Sequence, residues 1–131
     1  MTPEYRAWLI ELFAPLGSVS VRRVFGFFGL YVGETMFGLV ADERIYLKTD
    51  TGSRGAFERE GSAALSYVAP NGERRVTSYR EIPGRLIDEP EEIVEWARQA
   101  HRVASHSPTA KRKQAQQAKS APARAKSPLT R

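Results

Sequence analysis

Residues 21–48, VRRVFGFFGLYVGETMFGLVADERIYLK, constrain the fold more than any other stretch. Their side chains sort with a period of two, the repeat of a strand whose successive residues point to opposite faces. Phe28, Leu30 and Val32 fall on one face, and Phe27, Gly29 and Tyr31 on the other. After a turn at Gly33, Glu34 and Thr35, the alternation sets Met36, Gly38 and Val40 against Phe37, Leu39 and Ala41. Arg44-Ile45-Tyr46-Leu47-Lys48 alternates polar and apolar cleanly, as a half-buried antiparallel strand does. The earlier strands are apolar on both faces, which predicts a central position in the sheet under a covering of helices.

The flanking segments read as helices and a further hairpin. Thr2 before Pro3 fits an N-cap with proline at the first helical position. Tyr5, Trp8, Leu9, Leu12 and Phe13 then form one apolar stripe that Pro15 and Gly17 close, with core packing the expected role. Residues 18–25 lead into the sheet. Arg22 and Arg23 are neighbours on that strand, so their guanidinium groups point to opposite faces and cannot form one clamp. One of them is expected to pair with a carboxylate on a covering helix while the other meets solvent. Gly26 and Gly29 lie between strand-like residues and open no helix, so a phosphate-cradling loop lacks its context. They mark a bend, a bulge or a close backbone approach instead.

Beyond Lys48, residues 49–53 break the pattern. A short helix over 53–60 is predicted, capped by Ser53, stopped by Gly61 and anchored inward by Phe57. Residues 66–69 form a strand, Pro70-Asn71-Gly72 turn the chain, and residues 74–82 return antiparallel with Val76 and Tyr79 facing inward. Asp88 is the expected N-cap of the last helix, with Glu91 completing a capping box and Glu92 favouring the dipole. Ile93, Trp96, Ala97, Ala100 and Val103 give that helix its apolar stripe. The result is an α+β fold: an antiparallel sheet of about five to six strands, flanked by N-terminal and C-terminal helices and one short middle helix.

Charge divides the chain in two. Residues 1–103 carry 13 Lys and Arg against 15 Asp and Glu, a net of −2. Residues 104–131 carry seven basic residues and no acidic one, a net of +7. A domain over 1–103 followed by a basic, disordered tail over 104–131 is therefore expected, the tail having a single Leu as its large apolar side chain. Lys111, Arg112, Lys113, Lys119, Arg124, Lys126 and Arg131 are candidate tethers to DNA or RNA through phosphate neutralisation. The tail has no aromatic residue to stack on bases, so such binding would be sequence-blind.

Other chemistry is sparse in the sequence. The absence of cysteine excludes a disulfide framework, a thiolate metal site and a cysteine nucleophile. His101 and His106 are five residues apart, off the spacing of a helical ligand pair, and no metal or other cofactor is expected. There is no Gly-x-Ser-x-Gly elbow and no P-loop, which points away from an enzyme. The N-terminus lacks a basic leader region and no apolar run approaches the ~20 residues of a membrane span, so a cytoplasmic protein with no membrane contact is expected.

Residues 21–31, VRRVFGFFGLY, then Met36-Phe37-Gly38-Leu39-Val40-Ala41-Asp42 and Ile45-Tyr46-Leu47-Lys48, resemble the N-terminal domain of TfoX/Sxy competence regulators. Tyr79, Ile82-Pro83 and residues 91–97, EEIVEWA, match in the same order. The resemblance implies an antiparallel sheet flanked by helices. It also implies transcriptional co-activation beside a cyclic-AMP receptor protein-like regulator. Full-length members carry a second, C-terminal domain, and the basic tail is expected to stand in its place here. The expected function is a non-enzymatic regulatory module. Its fold would contact transcription machinery, with Arg22, Arg23, Phe25, Gly26, Gly29 and Tyr31 as the candidate partner surface. The alternatives are a small-ligand or catalytic domain using the aromatic sheet face, and a module that self-associates through a sheet edge.

Overall fold

A computed structural model describes residues 1–24 and 26–106. Helix α1 (Pro3–Leu12) starts where Thr2 Oγ1 accepts from the Tyr5 amide at 3.1 Å, with Pro3 in the first turn. Six strands follow: β1 (Val19–Val24), β2 (Phe27–Val32), β3 (Thr35–Ala41), β4 (Arg44–Lys48), β5 (Ala64–Val68) and β6 (Arg74–Glu81). A short helix α2 (Arg54–Arg59) separates β4 from β5, and α3 (Pro90–Ser105) is the last described element. The strands form one antiparallel sheet in the order β1-β2-β3-β4-β6-β5. The molecule is α+β, with the aromatic strands β2 and β3 inside the sheet and β1 and β5 at its edges.

Helices cover one face. Leu9 and Phe13 from the N-terminal segment and Ile93, Ala97 and Ala100 from α3 pack on Val21, Leu30, Phe37, Val40, Ile45 and Leu47. Phe13 meets Phe37 edge-to-face at 5.4 Å between centroids. Phe57 of α2 meets Trp96 of α3 in the same way at 4.8 Å. Burying one such side chain contributes about 1.5–3 kcal/mol, so this layer carries most of the stability.

Strict alternation fails in β3. The register steps from Leu30↔Gly38 to Tyr31↔Met36, leaving Phe37 as the extra residue of a bulge. Phe37 therefore joins Gly38 and Val40 under the helices, while Met36 falls on the opposite face with Leu39. The expected grouping of Phe37 with Leu39 and Ala41 is corrected accordingly.

Four further expectations change. Trp8 is 38% exposed, because α1 lies along the sheet edge and reaches the core mainly through Leu9. Val76 is 69% exposed. β4 pairs with β6 only from Tyr79 to Glu81, so the outer part of the β5–β6 hairpin projects past the helical layer. The N-cap of α3 is Glu89 rather than Asp88, and it makes no side-chain cap bond. Pro90 at the first position fixes the start there, and Asp88 ends a 3-10 turn over Gly84–Asp88. Ser53 precedes α2 but caps nothing; its Oγ accepts from the Asp50 amide at 3.0 Å, while its own amide donates to Asp50 Oδ1 at 2.8 Å.

Helix α3 runs through Ala104, which is buried, to Ser105. His106 follows, its Nδ1 2.7 Å from the Arg102 carbonyl oxygen. The tether residues from Lys111 to Arg131, and Phe25, lie outside the described residues.

Candidate functional site

The face of the sheet opposite the helices is assembled by register. One cross-strand row runs Arg22, Gly29, Leu39, Tyr46, Glu81. Beside it Tyr31 pairs with Met36 across β2 and β3, and Lys48 with Tyr79 across β4 and β6. The face is concave. Phe27 and Tyr67 stand on β2 and β5, four inter-strand steps or about 19 Å apart in a flat sheet. Their ring centroids nevertheless approach to 6.4 Å. Leu39, 5% exposed, is buried outside the cluster under the helices, as are Leu65 and Ala69 of the hairpin that curls over.

Arg22 and Arg23 occupy opposite faces. Arg22 lies 4.4 Å over the Tyr31 ring, donates to the Gly33 carbonyl at 3.1 Å and stands 3.7 Å from Glu34. Its carboxylate partner belongs to the β2–β3 turn and not to a helix, because its strand face is the one the helices leave open. Arg23 lies 5.2 Å over Phe28 on the other face. Gly26 takes φ +83° in the β1–β2 turn. Gly29 is the floor under Tyr31: a Cβ there would stand 2.7 Å from Tyr31 Cε1 and 2.8 Å from Met36 Sδ. Of the candidate partner surface, then, Arg22, Gly29 and Tyr31 come together on the concave face, and Arg23 and Gly26 do not.

Tyr46, Lys48 and Tyr79 are the residues of this face that the sequence analysis did not nominate. Alternation in residues 44–48 places Tyr46 beside an outward Lys48. Only the β4–β6 register, though, joins them to Tyr79. Burial holds the Tyr79 hydroxyl well above the ordinary phenol range, with Tyr31 pushing the same way. Its oxygen lies 3.5 Å from the Met36 carbonyl. Burial likewise raises Tyr31 and Tyr46; Arg22 opposes the shift at Tyr31, and Glu81 adds to it at Tyr46. Lys48 is pushed down by burial against the opposing pull of Asp50, and its ammonium lies 2.6 Å from Ser78 Oγ and 5.2 Å from the Tyr79 ring. These tyrosines remain neutral at physiological pH, so the face offers rings, hydroxyl donors, the Arg22 guanidinium and the Lys48 ammonium. Among the described residues no three His, Asp or Glu side chains converge as metal ligands.

A second concavity, of about 690 Å³, lies between the helices on the far side of the molecule. Leu12 and Pro15 form one wall and Pro90 and Val94 the other, with Glu11, Glu91 and Glu95 around the rim. A smaller hollow of about 290 Å³ is lined by Tyr5, Phe27, Phe28, Asp42 and Glu43 among others. There the Tyr5 hydroxyl donates to the Glu43 carbonyl at 3.1 Å.

A six-stranded antiparallel sheet with helices on one face and a curled aromatic face on the other defines a small α+β domain of one hydrophobic core. More particularly, the chain belongs to the TfoX N-terminal domain family, whose model matches residues 11–104. The match takes in all six strands and ends in α3. No curated protein matches the sequence. No helix among the described residues is long and apolar enough to cross a membrane.

Proposed function

We propose that the protein is a non-enzymatic regulatory module whose fold makes protein contacts and whose C-terminal segment holds nucleic acid without regard to sequence. Membership of the TfoX N-terminal domain family supports the regulatory part. The observation that carries the tether is the charge division, a net −2 over residues 1–103 against +7 over 104–131. Lys111, Arg112, Lys113, Lys119, Arg124, Lys126 and Arg131 neutralise phosphates, and the concave face around Arg22 and Tyr31 meets the protein partner. Transcription machinery of the cyclic-AMP receptor protein type is that partner's class.

A salt titration of duplex-DNA binding tests the tether. Six engaged phosphates give a slope of log K against log salt of about −5. Changing the seven basic residues to Gln should abolish binding and leave the fold intact. Tight binding by that variant would overturn the reading. The aromatic floor of the concave face also favours a second reading, a site for a flat small ligand. That reading predicts a thermal shift with such a ligand that the seven-residue variant retains.

A further inference from the structure

We propose that the groove between α1 and α3 is the docking site of this chain's own basic C-terminal segment, residues 107–131. The groove has a largely apolar lining of Leu12, Pro15, Pro90 and Val94, edged by three carboxylates. Of these, Glu95 lies 3.6 Å from Arg98, while among the described residues Glu11 and Glu91 meet no cation. The segment suited to such a groove carries positive charge on a backbone rich in small apolar residues. Residues 107–131 have that composition: seven Lys and Arg with no acid, interspersed with alanine and proline. The attraction comes from the carboxylates alone, since Glu91 stands in the first turn of α3, at the positive pole of the helix dipole. A lysine seated in the groove meets those carboxylates without having to displace a cation from Glu11 or Glu91.

Reach is sufficient. The segment leaves α3 at Ser105, and Val94 lies 11 residues back, about 16 Å along the axis. From His106 to Lys111 the extended chain spans about 17 Å, and a flexible chain to Lys119 has a typical extent of about 20 Å. Residues 111–119 can therefore turn back along α3 and bring Lys111, Lys113 or Lys119 to the rim. Docked there, those cations are withheld from phosphate. This consequence rests on the proposed tether; the docking itself does not.

The chain has no cysteine, so Ala115→Cys creates a single attachment point for a nitroxide spin label. In the full-length labelled protein at low salt, amide signals of residues 11–15 and 90–95 should broaden selectively. The broadening should vanish in 0.5 M salt (roughly a 4 Å screening length) and in the Glu11→Gln, Glu91→Gln, Glu95→Gln variant. Broadening confined to residues 100–106, or unchanged by the triple substitution, would overturn the proposal. So would broadening that arises only between an isotope-labelled chain and a separate spin-labelled one. If the segment also tethers nucleic acid, the triple variant should bind duplex DNA about five- to tenfold more tightly, the worth of two or three exposed ion pairs. Selective broadening without any DNA binding would sustain the docking and sink the tether.

Discussion

Gly38 and Gly29 are both buried strand glycines, and the structure assigns them opposite tolerance to a methyl group. A Cβ at Gly38 would stand 2.8 Å from the Tyr46 carbonyl oxygen, 3.2 Å from Leu30 Cδ1 and 3.3 Å from Leu47 Cδ2. The closest obstacle is backbone of β4, which pairs with β3 from Gly38↔Leu47 to Ala41↔Arg44. It cannot retreat without opening that ladder. Overpacking of this kind costs about 1–3 kcal/mol, and a backbone obstacle puts it at the upper end. The loss of unfolded-chain freedom on Gly→Ala returns about 0.4–1 kcal/mol. Gly38→Ala is therefore expected to destabilise by about 2 kcal/mol, lowering Tm by about 8–16 °C for a domain of this size.

At Gly29 the obstacles, 2.7 and 2.8 Å away, are the edge of the Tyr31 ring and the Met36 sulfur, both side chains that can turn outward. Gly29→Ala is expected to stay within about 1 kcal/mol, the strain and the entropy gain nearly offsetting each other. It should, however, dislodge Tyr31 from Arg22 and alter the near-ultraviolet tyrosine dichroism. Urea and thermal denaturation of both variants, read by far-ultraviolet dichroism, decide the matter. A Gly29→Ala variant as damaged as Gly38→Ala, or an undamaged Gly38→Ala, would refute the reasoning.

Arg85 bonds both Glu60, at 2.7 Å, and Glu92, at 3.1 Å, and holds both carboxyls below the ordinary range. A depressed folded pKa stabilises above the unfolded value of about 4.3 and is lost as pH falls through the folded one. The Tm difference between wild type and Arg85→Gln should thus be present at pH 7 and close below about pH 4; an equal gap at pH 3 would contradict the assignment. Asp42 and Glu43 take φ of 52° and 60° in the two-residue β3–β4 turn, a geometry that favours glycine at its second position. Glu43→Gly should stabilise by about 0.5–1 kcal/mol after its own entropy cost, raising Tm by a few degrees, and a fall in Tm would show that no strain resides there. Val76→Thr should change stability by no more than about 0.5 kcal/mol in urea titrations; a loss several times larger would place Val76 in a core.

The helix-covered half of the molecule was legible because one period governed each element. Thr2-Pro3 marked the start of α1, and Ile93, Ala97 and Ala100 marked the buried stripe of α3, since capping and amphipathicity are local. Misplaced residues were those decided by distant pairing. Phe37 crosses to the helical face because of a bulge against Leu30 and Tyr31, which no alternation within 35–41 encodes. Val76 looked inward on a period-two count, and only the short β4–β6 pairing shows that no described residue covers it. The concave face was half visible: Arg22 and Tyr31 belong to the conspicuous strands, whereas Tyr79 reaches them only through the strand order β4-β6-β5. Glu92 stands in the first turn of α3 as a dipole charge and also accepts from the Trp96 indole, 3.3 Å away, and from Arg85, a partner that only the 3-10 turn before α3 brings to it.

The family match begins at residue 11, yet the physical unit begins earlier. Leu9, fully buried, lies before that point, as do two long-range bonds from α1 to the sheet. Arg6 donates to the Val21 carbonyl at 2.9 Å, placing a charged side chain along the β1 edge, where an uncovered strand would be open to pairing with another chain. Tyr5 donates to the Glu43 carbonyl and so pins the turn whose two residues have positive φ. Strained turns persist where the surroundings over-determine them, and here the determinant sits in the first two turns of α1. These residues therefore close one sheet edge and hold one turn in place. Among the described residues the packed unit accordingly runs from the Thr2 cap through Ser105, the last residue of α3.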